Sequence, residues 1–173
     1  WTVQGGWSGV PTQAALFRLP LDRRALPGAI KTEGSPIDAL SFAEDADGAL
    51  SVLLRANGRG DAMGRAEGAG GNLALLQLTR DDFGDGQGRA PARAYRALPP
   101  VADGALQNRH VGRWLLYGAT QRQNPRGPLN SGAFANRHVV AIDRGRPGDD
   151  RPRPAQVLEI GHSVDRIEAL GAH

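Results

Sequence analysis

The chain contains no cysteine. This excludes a disulfide framework, a thiolate metal site and a cysteine nucleophile, though it does not exclude secretion. Lysine is almost missing: among 21 basic residues only Lys31 is a lysine, so arginine carries the positive charge. No apolar run approaches the length of a membrane span, and no basic-then-apolar signal segment opens the chain. Helical patterning is absent too. No stretch of about a dozen residues keeps an i, i+3, i+4, i+7 apolar stripe free of glycine and proline. The sequence also lacks a Gly-x-Ser-x-Gly nucleophile elbow and a Gly-x-x-x-x-Gly-Lys phosphate loop.

What is present suits one domain. The 173 residues, 40% of them hydrophobic, can bury a core but are few for two domains. Gly (24) and Pro (12) exceed ordinary usage yet stay below the low-complexity range, which argues against wholesale disorder. The formal net charge is +3, with arginines scattered among 18 acids. The densest basic stretch, Arg144 to Arg153, also carries Asp149, Asp150 and prolines. A nucleic-acid binder gathers its basic residues on one face. No nucleic-acid partner is therefore expected, and the arginines read as solvated surface.

Short apolar segments recur, each bounded by turn residues. They are Gln13–Leu21, Pro27–Glu33, Ile37–Phe42, Ala49–Leu54, Asn72–Thr79, Arg93–Leu98, Leu106–Val111, Trp114–Ala119, His138–Asp143, Ala155–Ile160 and Val164–Leu170. Asp47-Gly48 and Gly112-Arg113 sit between two such runs and predict tight hairpins, glycine supplying the positive φ. Residues 56–71, 81–88 and 121–135 read as loops.

The order of short turn, long loop, long loop occurs twice, over 37–98 and 105–160. Two strands precede the first group and one follows the second. Repeated four-stranded antiparallel units predict blades of a β-propeller, with a β-sandwich as the competing all-β architecture. The expected organisation is one partial propeller domain over 1–173, with two full blades and parts of two others. Because propellers close with four to eight blades, the chain is expected to be a portion of a longer polypeptide. The remaining blades, from that polypeptide or a partner chain, would cover its open edges.

Thr12 to Leu19, and then Gly34 to Val52 with its acidic turn Glu44-Asp45-Ala46-Asp47-Gly48 before a Leu-x-Val strand, resemble the bacterial secreted β-propeller family. The resemblance continues through Asn72–Leu78, Gln107–Ala119, His138–Asp143 and Gly161–Gly171. It implies a secreted, periplasmic or envelope-associated propeller without a defined general activity. The family follows its last motif with an aromatic and a His-Pro pair. Ser163 to Glu168 has neither, so no role resting on that histidine carries over.

Two acidic loops offer oxygen ligands for calcium, through Asp45 and Asp47 in the first and Asp81 and Asp85 in the second. Neither follows the EF-hand pattern, and a solvated hairpin turn is the preferred reading of both. His110, His138, His162 and His173 lack ligand spacing such as His-x-His. Asn-Arg-His-Val occurs at 108–111 and again at 136–139, at positions that are not equivalent in the strand register. Gly161-His162 is similar to the Gly-His step of WD40 blades, where histidine anchors a structural network, and Trp114 reads as core. Arg59-Gly60-Asp61 matches an adhesion tripeptide that arises readily by chance in so Arg- and Gly-rich a chain. Trp1 and Trp7 could join an aromatic surface.

Two functions follow. One is a non-enzymatic propeller presenting loops to a protein or carbohydrate ligand. The other is a propeller hydrolase or lyase whose carboxylates and histidines gather at the central channel. The lack of a compact catalytic constellation favours the first.

Overall fold

The computed structural model describes residues 13–21, 25–56, 72–101, 105–120, 137–149 and 153–170. Twelve strands occur among them, with only short 3-10 turns for helix. They are β1 (Gln13–Arg18), β2 (Gly28–Glu33), β3 (Ser35–Pro36), β4 (Phe42–Glu44), β5 (Leu50–Arg55), β6 (Leu73–Leu78), β7 (Asp85–Arg89), β8 (Tyr95–Leu98), β9 (Leu106–Val111), β10 (Trp114–Ala119), β11 (His138–Asp143) and β12 (Gln156–Glu159). The protein is all-β, and three sheets form. Sheet A runs β1-β2-β7, sheet B runs β3-β5-β6-β8 with β4 also on β5, and sheet C runs β9-β10-β11-β12. Within 37–98, β4, β5, β6 and β8 form an antiparallel ladder in sheet B while β7 pairs with sheet A, and within 105–160 β9 to β12 form the antiparallel sheet C.

The sequence of β5 and β6 explains the layering. Leu50-Ser51-Val52-Leu53-Leu54-Arg55 and Leu73-Ala74-Leu75-Leu76-Gln77-Leu78 are apolar almost without alternation, as strands covered on both faces are. Val52, Leu54, Leu76 and Leu78 point to sheet A and pack with Leu16 and Ile30. Leu53, Leu73 and Leu75 point the other way and pack with Leu106, Leu115, Tyr117, Val140 and Ile142 of sheet C. Sheet B is therefore the middle layer.

Sheets B and C stack in the same strand order. At one edge, Asn108 of β9 donates to both Asp38 oxygens, at 3.1 and 3.2 Å, beside the β3–β4 connection. At the other edge, Arg96 of β8 reaches the Asp143 carbonyl at 2.8 Å and the Arg153 carbonyl just before β12. The chain leaving β8 must cross from the last edge of sheet B to the first edge of sheet C. Tyr117 Oη donates to the Pro99 carbonyl in that crossing, at 2.8 Å. The switch from β2 to β3 takes one residue, Gly34. Its φ is +82°, and a Cβ there would stand 2.9 Å from the Arg55 carbonyl oxygen.

Three expectations are corrected. Ile37–Phe42 is not one strand. Asp38 accepts from Leu40 N at 2.9 Å and Ser41 Oγ accepts from Ile37 N and Asp38 N, so Ala39–Ser41 coils into a 3-10 turn. These side-chain bonds outcompete the ladder locally. Residues 81–88 are not a loop throughout. Asp82 accepts from Thr79 N and Oγ1, at 2.7 and 2.8 Å, closing a turn, and Asp85–Arg89 then pairs parallel with the open edge of β2. Val164–Leu170 joins no sheet. Val164 instead fills the space over Gly118 on the outer face of sheet C, and Glu168 pairs with Arg109 at 2.7 Å.

The hairpin at Asp47-Gly48 holds: Phe42–Glu44 pairs antiparallel with Leu50–Val52, and Gly48 has φ +81°. Residues 57–71 and 121–136 lie outside the described residues, as do Trp1, Trp7, Arg59-Gly60-Asp61 and His173.

Candidate functional site

Three pieces of chain converge at one end of sheets B and C. They are the β4–β5 turn with Asp45 and Asp47, the β9–β10 turn with Gly112 and Arg113, and the segment leaving β11 through Arg146. Together with Arg153 they enclose a cleft of about 600 Å³. Tight turns expose backbone and polar side chains here, because the ladders that consume N–H and C=O groups have ended.

Arg144 is the centre of this region, and its side chain is only 6% exposed. Nη2 donates to Asp45 Oδ1 at 3.0 Å and to the Gly112 carbonyl at 2.6 Å, joining the turn of sheet B to the turn of sheet C. Nε and Nη1 are buried with no acceptor. A buried guanidinium with two idle donors is costly, since each has given up water without replacement.

Asp143 precedes it. Burial works against its charge, but donors from Arg113, from Gly145 N at 3.1 Å and from Arg153 at 2.7 Å outweigh that. Its carboxyl is held below the ordinary carboxylate value. Arg153 also pairs with Asp149.

Beside the cleft and sharing Arg144, Arg146 and Arg153 with it lies a smaller cavity of about 230 Å³. Arg93 and Arg96 from the β8 side complete its lining of five arginines, with Asp149 the single lining acid. Burial, with the Arg153 charge close by, pushes the Arg96 guanidinium below its usual value. Arg93 and Arg146 are exposed and have no acidic partner among the described residues.

No family model, no curated protein and no solved structure matches this chain.

The acidic residues singled out for calcium are divided. Asp45 is committed to Arg144. Asp47 Oδ1 accepts from Ala49 N at 3.1 Å, and Asp85 Oδ1 from Gln87 N at 2.9 Å, both closing their own turns. Asp47 and Asp81 line one cavity of about 340 Å³, which they share with Arg80 and Arg146, while Asp85 sits on sheet A. Among the described residues no three acidic or histidine side chains gather in a form that could hold a metal ion.

The histidines are redistributed as well. His162 is exposed, with Nδ1 against the Ser163 carbonyl, and anchors no network between strands. The structural histidine is His110. Its Nε2 donates to the Ser41 carbonyl at 3.0 Å, beside Asn108 and Asp38, and burial pushes its pKa down to about 4. Trp114 is not core: it lies half-buried on the outer face of sheet C, with the Arg113 guanidinium 5.4 Å from its ring centre.

Nor are the arginines uniformly surface residues, since Arg144 and Arg55 are buried. The available signal for Arg144 was its position. It directly follows Val140-Ala141-Ile142-Asp143, a run buried throughout.

Proposed function

We propose that the chain supplies consecutive blades of a β-propeller that works outside the cytoplasm as a binding scaffold, with its ligand at the turn end of sheets B and C. The observation that carries this reading is the stacking of sheets B and C in the same strand order, with the β8–β9 connection crossing from the last edge to the first. Blades related by rotation about an axis stack in this way and require that crossover. A simple two-layer sandwich does not account for sheet B being covered by a sheet on each face. The secreted location rests on the family resemblance alone.

In this reading the outer faces of sheets A and C receive further blades. Phe17 on sheet A is 74% exposed, and on sheet C the outer face carries Trp114, Leu116 and Leu158. The binding role over a catalytic one is supported by the cleft chemistry. Asp45 and Asp143 are held by arginines, Asp47 closes its own turn, and no histidine lines the cleft.

Light scattering with thermal melting of residues 1–173 tests the propeller. Open sheet faces are expected to give self-association and a broad transition. A monodisperse monomer that melts cooperatively would overturn the reading in favour of a closed sandwich.

A further inference from the structure

We propose that the cavity lined by Arg93, Arg96, Arg144, Arg146 and Arg153 is an oxyanion site that takes a phosphate or carboxylate group of a ligand. The inference shares with the reading above the turn end as a binding surface, but it needs only sheets B and C and does not depend on further blades.

The charge balance carries it first. Arg93, Arg96, Arg144, Arg146 and Arg153 line about 230 Å³, a space suited to one small charged group. Among the described residues, Asp45, Asp143 and Asp149 pair with Arg144 and Arg153 of these arginines, and Asp143 also pairs with Arg113. Arg96 donates to the carbonyls of Asp143 and Arg153, which orient it without neutralising it. Arg93 and Arg146 are left with none. Positive charges therefore exceed negative ones at this cavity even after every described acid in contact is counted.

The second observation is independent of charge counting. Arg144 is buried, and Nε and Nη1 have no acceptor. The Arg153 Nε is in the same condition. In both residues the Nε–H shares its guanidinium edge with Nη2, which already binds the protein, so the idle N–H groups are separate donors and not an open fork. These N–H groups carry almost no accessible surface, so an anion in the cavity offsets their charge without touching them, and bonds to them only if the lining shifts. The only lysine lies on β2, in sheet A, so every cation lining the cavity is a guanidinium.

The rest of the ligand would lie in the adjoining cleft of about 600 Å³, which shares Arg144, Arg146 and Arg153 with the arginine cavity. Asp45 and Asp47 there face a part of the ligand that is neutral or donates hydrogen bonds.

The test is calorimetric titration of the full chain with inorganic phosphate, with D-glucuronate and with glucose, at about 0.15 M salt so that diffuse attraction is screened. Phosphate or glucuronate is expected to bind with a Kd of about 1 mM or tighter, and glucose not at the arginine cavity. Binding by phosphate alone marks a phosphorylated ligand, and binding by glucuronate alone an acidic sugar or carboxylate. Arg93→Gln with Arg146→Gln changes two exposed side chains that hold no ion pair among the described residues, and is expected to weaken binding about tenfold or more. Arg89→Gln, which removes an exposed arginine of sheet A, should leave the affinity unchanged. The proposal is overturned if neither anion binds, or if Arg89→Gln weakens binding as much as the double variant.

Discussion

Sheet B and its two neighbours differ in what surrounds them, and their sequences differ with it. In sheet B, Leu53 and Leu75 press on sheet C while Val52 and Leu76 press on sheet A, and all four are fully buried. In sheet C only one face is spent this way. Leu115 is fully buried, whereas Leu116 beside it faces outward with Trp114. In sheet A, Leu16 is buried and its neighbour Phe17 is open to solvent. Side chains point to alternate faces in every strand, and the near-continuous apolar runs of β5 and β6 give a two-sided core in the middle where the flanking sheets have a one-sided core. Burial on both faces is what removes the polar positions from a strand.

The largest expected effect breaks this contrast most directly. Leu75→Ala should cost about 2–5 kcal/mol in denaturant unfolding, because a leucine packed on every side leaves a cavity. Leu116→Ala should cost less than about 1 kcal/mol in the isolated chain. Equal losses would mean that the outer face of sheet C is covered in solution. If further blades cover it in a longer polypeptide, the Leu116 loss should rise there.

Acid titration is next. His110 is held neutral by burial down to a pKa of about 4, against an ordinary value of 6.5 in the unfolded chain. Unfolded protein therefore binds the proton first. Stability should be fully present above about pH 6.5 and fall as the pH drops toward 4, by on the order of 3 kcal/mol. His110→Gln should flatten that part of the stability profile. A profile unchanged by the substitution would remove His110 from the interlock of sheets B and C.

The hairpin tips give a smaller comparison. Gly48 and Gly112 both have positive φ, but a Cβ at Gly48 would collide with the Arg80 guanidinium, while at Gly112 the space is open. Gly48→Val should cost about 1 kcal/mol or more, and Gly112→Val should cost less. The reverse order would show that strain, not the Arg80 contact, sets both values. Smallest of all is calcium. Millimolar calcium is expected to leave the Tm unchanged, and a rise that Asp47→Ala abolishes would establish the acidic turn as a cation site.

The strand groups were legible because each lies between turn residues whose backbone needs are local: Asp47-Gly48 and Gly112-Arg113 sit where expected. The 3-10 turn at Ala39–Ser41 was not, since Asp38 and Ser41 act on the backbone within an otherwise apolar run. Strand β7 was hidden more deeply. Asp85-Gly86-Gln87-Gly88-Arg89 has little strand propensity, and it is extended because β2 offers it a row of free backbone groups. Arg144 and Arg153 escaped for a related reason. A single residue's burial depends on which turns meet above it, and those turns come from different sheets.

The parallel ladder of β2 and β7 also constrains the time course of folding. Lys31 and Gln87, bonded across it, are 56 residues apart in sequence, and all of β5 and β6 lies between them. Sheet A cannot be completed until most of sheet B exists, so the β1–β2 hairpin waits during synthesis with one edge exposed. Long-range closure of this kind slows folding. It also makes the β1–β2 hairpin the stage at which a nascent chain is most open to pairing with another copy of itself.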